Sequence, residues 1–135
     1  MKPFRKAMLI ICGVSLIGIL GVGGYVAYVY VAHMPLNFSS DKWKRGDAVM
    51  RGRMWKDLCE SGILDGKTRQ QVTDLLGEPD EKLTGVQDPL YDRTAPYAYT
   101  YRIRRYYTIL YAEWPETCYL EFDENGCFTG TYVLD

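Results

Sequence analysis

Histidine is nearly absent from this chain, and charge is wholly absent from one long stretch of it. The single His33 adjoins that stretch, which excludes a His-based catalytic triad or a His-rich zinc cluster from the domain that follows. No Gly-rich phosphate loop occurs, and no cysteine pair has the spacing of a redox or zinc motif. Carboxylates are plentiful, and paired ones can do acid–base work. Glu78, Asp80 and Glu81, however, cluster where a helix is expected to end and read as a solvated loop. The expectation is therefore no catalytic residue, no cofactor and no metal ligand.

From Ala7 to Ala32 there is no Asp, Glu, Lys or Arg in 26 positions, while Lys2, Arg5 and Lys6 precede the run and all 17 acidic residues follow it. As a helix the run would extend roughly 39 Å, against a hydrocarbon core of about 30 Å. Tyr25, Tyr28 and Tyr30 suit an aromatic belt at its far end. Residues 7–32 are thus expected to meet membrane lipid, within an anchor or signal sequence spanning 1–32. An uncleaved anchor fits the length best. Gly21 and Gly23 leave a cleaved signal open. Lipidation at Cys12 is disfavoured because the bulky Ile11 precedes it. Basic residues packed against the N-terminal end place that end in the cytoplasm and the C-terminal domain outside, periplasmic or extracellular. Lys42, Lys44, Arg45 and Arg51 moderate the bias.

Beyond residue 40 there are 13 basic and 17 acidic residues, a balance of −4. That gives no general footprint for nucleic acid. Two basic runs stand out, 42–56 and "RIRRYY" at 102–107; each could touch anionic headgroups or a partner, or simply form a solvated face. With Cys12 in the apolar run, Cys59, Cys118 and Cys127 remain, an odd number that allows at most one internal disulfide. Three reduced thiols are equally compatible with the sequence.

Residues 33–46 read as a linker. In "GDAVMRGRMWKDLCESG", Met50, Met54 and Leu58 form one helical stripe that Val49 and Trp55 widen; Asp47 caps the start and Gly62 ends it. Gly52 falls on the polar side, weakening this helix by about 1 kcal/mol relative to Ala. In "DGKTRQQVTDLLGEPD", Thr68 and Gln71 predict a capping box, Val72, Leu75 and Leu76 one apolar face, and Gly77 with Pro79 a hard stop. Residues 81–96 read as an irregular loop. "YAYTYRI" alternates Tyr97, Tyr99, Tyr101 and Ile103 on one side, as in a strand. "CYLEFDENGCFTGTYVL" reads as a hairpin around Asn125 and Gly126, with Cys118, Leu120, Phe122, Phe128, Gly130 and Tyr132 on the buried face and Glu121, Thr129 and Thr131 on the other. That register makes Cys59–Cys118 a better pair than Cys118–Cys127.

The expected fold is α+β: an N-terminal transmembrane helix, then two short helices packed on a three-stranded antiparallel sheet, the domain covering 47–135. Gly66, Thr68, Gln71, Val72, Leu76, Gly77 and Pro79, followed some forty residues later by "YLEFDENGCF", resemble the SmpA/OmlA, or BamE-like, domain of small bacterial envelope proteins. The best known members of that family are lipoprotein accessories of the outer-membrane β-barrel assembly machinery. Two features depart from its pattern: Lys67 stands where an apolar residue is usual, and the anchor resembles a spanning helix instead of an acylated Cys. The expectation is a membrane-anchored extracytoplasmic scaffold that binds another envelope protein, with the Tyr-rich segment 97–111 either as its contact, since Tyr gives large contact area with a polar tip, or with half of its Tyr covering the helices as core. The alternative is a small-ligand or thiol-based sensor, with Cys127 reactive and the segment 81–96 enclosing a pocket.

Overall fold

The computed structural model describes residues 2–88, 93–105 and 116–134. It divides into two units, Met1–Met34 and Pro35–Asp135. The first is α1, Lys2–Ala32, a continuous helix whose Phe4, Leu9, Ile17, Leu20 and Tyr28 side chains are exposed. It is long and apolar enough to cross a membrane or to serve as a signal anchor.

Among its described residues the second unit carries three short helices and one sheet: α2 (Ser40–Arg45), α3 (Ala48–Glu60), α4 (Arg69–Leu76), β1 (Glu81–Asp88), β2 (Arg93–Ile103), β3 (Glu116–Phe122) and β4 (Phe128–Leu134). The four strands are antiparallel in the order β1-β2-β3-β4. The molecule is α+β, as expected, but with one strand and one helix more than the sequence suggested.

The extra helix lies in the expected linker. From Pro35 onward that segment belongs to the compact unit. Leu36 N–H donates to Arg53 O at 2.9 Å and Phe38 N–H to Asp57 Oδ2 at 2.7 Å, which lays the segment along α3. Trp43 of α2 is fully buried, with the rings of Phe38 and Tyr101 centred 6.0 and 6.1 Å away. A single Trp inside "SDKWKR" gives no helical period; burial of that one large ring against Tyr101 holds the six-residue helix, since so short a helix is marginal alone.

The extra strand is β1. Residues 81–88, expected to be part of a loop, pair with β2 from Glu81↔Thr100 to Asp88↔Arg93. Gly85, at φ +62°, interrupts the pairing, and the sequence punctuation there reflects that interruption. Polar residues suit an edge strand, which has one neighbour and little core to cover. Pro96 is tolerated because β3 reaches only as far as Phe122, opposite Tyr97, so no ladder bond to β3 is demanded at Pro96.

The two predicted helices form as expected. Asp47 accepts the Met50 N–H at 2.9 Å, and Met54, Trp55 and Leu58 are buried. Thr68 and Gln71 make the full capping box, at 3.3 and 2.9 Å. Gly77 ends α4 at φ +82°, ψ −178°, a conformation open in practice only to glycine. Carbonyl groups freed at a helix end need partners, and the fold supplies them: Ser40 Oγ donates to Leu75 O at 2.5 Å, Lys44 Nζ to Asp74 O, and Tyr101 Oη to Gly77 O at 3.0 Å. The sixteen-residue motif is thus a docking element, fixed by α2 on one side and β2 on the other.

Gly52 is not on a solvated side. A Cβ there would lie 1.7 Å from Arg104 O and 2.4 Å from Arg104 C. Arg104 N–H donates to Ala48 O at 2.8 Å, so the chain leaving β2 crosses α3 in direct backbone contact. Glycine permits that approach.

The hairpin also differs in part from the expected register. Asp123 N–H does donate to Cys127 O, at 2.9 Å, but a bulge between Glu121 and Phe122 shifts the strands. Leu120 therefore faces Thr131 and Cys118 faces Val133, while Tyr119 stacks on Tyr132 at 4.6 Å on the other face. Gly130 and Tyr132 leave the expected face, Tyr132 staying buried, and Thr131 joins it. Glu121, expected to face solvent, is buried. One inserted residue reverses the facing of all that follow it, because strand side chains alternate.

Candidate interaction face

Within the expected Tyr-rich contact, Tyr99 and Tyr101 are core and Tyr97 packs against that core; the rest of it, Tyr106, Tyr107 and Tyr111, lies outside the described residues. Arg105 closes the neighbouring strand ends by donating through N–H, Nε and Nη2 to the buried Glu116 carboxylate at 3.1, 2.9 and 2.7 Å. That half of the basic "RIRRYY" run serves the fold.

The other basic run is distributed between structure and solvent. Arg51 donates from Nε to Trp43 O at 3.2 Å, its guanidinium 5.9 Å from the Trp43 ring. Lys44 caps α4. Lys42 and Arg45 stay exposed beside an open hollow of about 280 Å³, lined also by Asp41, Gly46 and Met50. Because Trp43 fixes α2, these cations occupy a defined place with an apolar floor at Met50. The helix thus has an inward Trp and an outward basic rim. The charge run was visible in the sequence; which of its members were already engaged was not.

The acidic cluster is structural. Asp80 Oδ2 accepts the Arg102 N–H at 2.6 Å, and Glu78 pairs with Lys82 at 2.9 Å on the surface. No group of three or more His, Cys, Asp or Glu residues is placed to hold a metal among the described residues. Residues 81–88 form an edge strand where a loop enclosing a ligand was expected, and residues 89–92 of that segment lie outside the described residues.

All four cysteines are free thiols. Cys127 is half-buried, next to the bridge that Thr68 makes across to it. Arg69 reaches the same turn: its Nε lies 3.0 Å from where a Gly126 Cβ would stand, and its guanidinium is 4.1 Å from the Tyr97 ring centre. Cys118 is fully buried, its S–H donating to Tyr101 O at 3.1 Å. Burial raises its pKa far above the ordinary thiol range. Cys59 is exposed by area, yet desolvation against the sheet still raises its thiol, partly offset by the Thr131 hydroxyl 3.7 Å away. Neither has the low pKa of a reactive thiol.

No family model, curated protein or solved structure matches this chain.

Proposed function

We propose that this chain is a membrane-anchored envelope module: α1 holds it in a membrane and the α+β unit, outside the cytoplasm, binds another envelope protein without catalysing a reaction. The observation that carries this reading is α1 itself. Its large apolar side chains are exposed along the helix, and about 25 cal/mol per Å² favours removing such surface from water. A lipid bilayer is the environment that covers so long an apolar helix without a partner chain.

The binding role is supported by the rim of Lys42 and Arg45 around Met50, a small apolar floor with charges that orient a partner. The capped helix and the hairpin that prompted the likeness to SmpA/OmlA domains lie in one unit, docked through Arg69 N–H to Gly126 O at 3.0 Å and Phe128 N–H to Lys67 O at 2.8 Å. That proximity is compatible with membership of that family and is the reason for proposing it.

Topology tests the reading. With a tag after Asp135, protease added to spheroplasts should remove the tag from a full-length, membrane-bound chain. A tag that stays protected until the membrane is lysed, or a chain recovered in the soluble fraction, refutes it.

A further inference from the structure

We propose that Cys59 and Cys118 are the disulfide-forming pair of this domain, tying the last turn of α3 to β3 and leaving Cys127 as a free thiol. The placement comes from the hairpin register. Cys59 Sγ sits 3.7 Å from Thr131 Oγ1. Thr131 pairs with Leu120, and Cys118, two residues back along β3, pairs with Val133. Cys118 and Thr131 are therefore diagonal neighbours on one face, with Cβ atoms about 7 Å apart or less. Cys59 thus lies over the β3–β4 seam on the face that Cys118 occupies, and a negative charge on Cys59 raises the Cys118 pKa.

Geometry also removes the competing pairs. Cys127 precedes Phe128, which pairs with Phe122, at the opposite end of the β3–β4 ladder from Cys118↔Val133. Four residues of strand span roughly 13 Å, and a disulfide needs Cα atoms within about 7 Å. About the same span separates Cys127 from Thr131, the residue that Cys59 touches.

The two sulfurs divide the exchange chemistry between them. Cys59 is the exposed entry point. Its thiolate attacks a disulfide RS–SR, either glutathione disulfide or an oxidoreductase's active-site disulfide. A Cys59–SR bond forms and RS⁻ leaves. The Cys118 thiolate then attacks the Cys59 sulfur, forming the internal bond and expelling the second RS⁻. The two cysteines lose two protons and two electrons, and the reagent disulfide is reduced to two thiols. Since Cys118 must release its S–H from Tyr101 O and ionise in the core, the second step is the slow one in the folded protein. The bond forms in a cell only if the domain faces an oxidising compartment, so its physiological occurrence rests on the envelope reading, whereas the pairing does not.

The test uses the full chain in detergent micelles, equilibrated in glutathione redox buffers, quenched in acid, alkylated with N-ethylmaleimide under denaturing conditions and mapped by mass spectrometry. Expected is a linked Cys59–Cys118 peptide, with Cys12 and Cys127 alkylated. Cys59→Ser, a mild change at an exposed site, should abolish the link and leave Cys118 unreactive until denaturant is added. A link to Cys127, or Cys59 glutathionylated with Cys118 still a thiol in the oxidising buffer, overturns the pairing, and the wild-type map decides this without any core variant. Alkylating intact cells before lysis separates the two readings. The link found in cells supports both. The link formed in the redox buffer but absent from cells upholds the pairing, and the protease test of topology then decides the envelope placement by itself.

Discussion

Gly52→Ala is the substitution on which helix propensity and tertiary structure disagree in sign. In a solvated helix Ala is better than Gly by about 1 kcal/mol. Here the new Cβ would fall 1.7 Å from Arg104 O and 2.4 Å from Arg104 C. Restoring ordinary contact moves one backbone by about 1.5 Å, and neither side is a flexible side-chain tip that could swing away. Overpacking of this kind costs typically 1–3 kcal/mol, occasionally more. The displacement also strips the 2.8 Å bond from Arg104 N–H to Ala48 O, and an unsatisfied buried group costs about 1–3 kcal/mol. Less the propensity gain, the net loss is about 1–5 kcal/mol, centred near 3. At 4–8 °C per kcal/mol for a domain of this size, a loss of about 3 kcal/mol lowers the melting temperature by roughly 12–24 °C. Trp43 and Trp55, both buried in the affected unit, report the transition by fluorescence in thermal and denaturant melts of the micelle-bound chain. An Ala variant as stable as the parent, or more stable, would refute the close crossing of α3 and the chain leaving β2.

Two further outcomes follow from the same unit. Thr68→Ala removes one half of the capping box that fixes α4 and should cost about 1 kcal/mol; Thr68→Ser should recover most of it, and equal losses for both would show that the methyl group, not the hydroxyl, matters. Stability should also fall in alkali. Burial raises the pKa of the Tyr101 hydroxyl and the Cys118 thiol above their ordinary values of 10.0 and 9.0. Both stay protonated in the fold while the unfolded chain ionises, so the native state binds more protons and stability declines as pH rises through those ordinary values, by about 1.4 kcal/mol per pH unit for each group. The denaturation midpoint should be flat from pH 6 to 8 and drop above about pH 9; Cys118→Ala should remove the thiol's share, and a midpoint unchanged to pH 11 would contradict the burial of both groups.

What the sequence determined by itself lies where the cause is local. The capping box of Thr68 and Gln71, the stop at Gly77, the Asp47 cap and the alternation of Tyr97, Tyr99 and Tyr101 are each set by neighbours a few residues away. The charge-free run that becomes α1 is equally plain, because length and composition alone meet the requirement for spanning a bilayer. Tertiary structure decided the rest. The edge strand β1 has its identity only from pairing with β2. Trp43 holds α2 because Tyr101, far away in the chain, offers a face to bury it. The bulge at Glu121 and Phe122 reverses the facing of β4, and so sets Thr131 under Cys59. Gly52, which local reasoning scores as a flaw in a helix, is the gap through which Arg104 passes. Each of these depends on which distant backbone or ring arrives at a residue, and a pattern read along one segment carries no information about that.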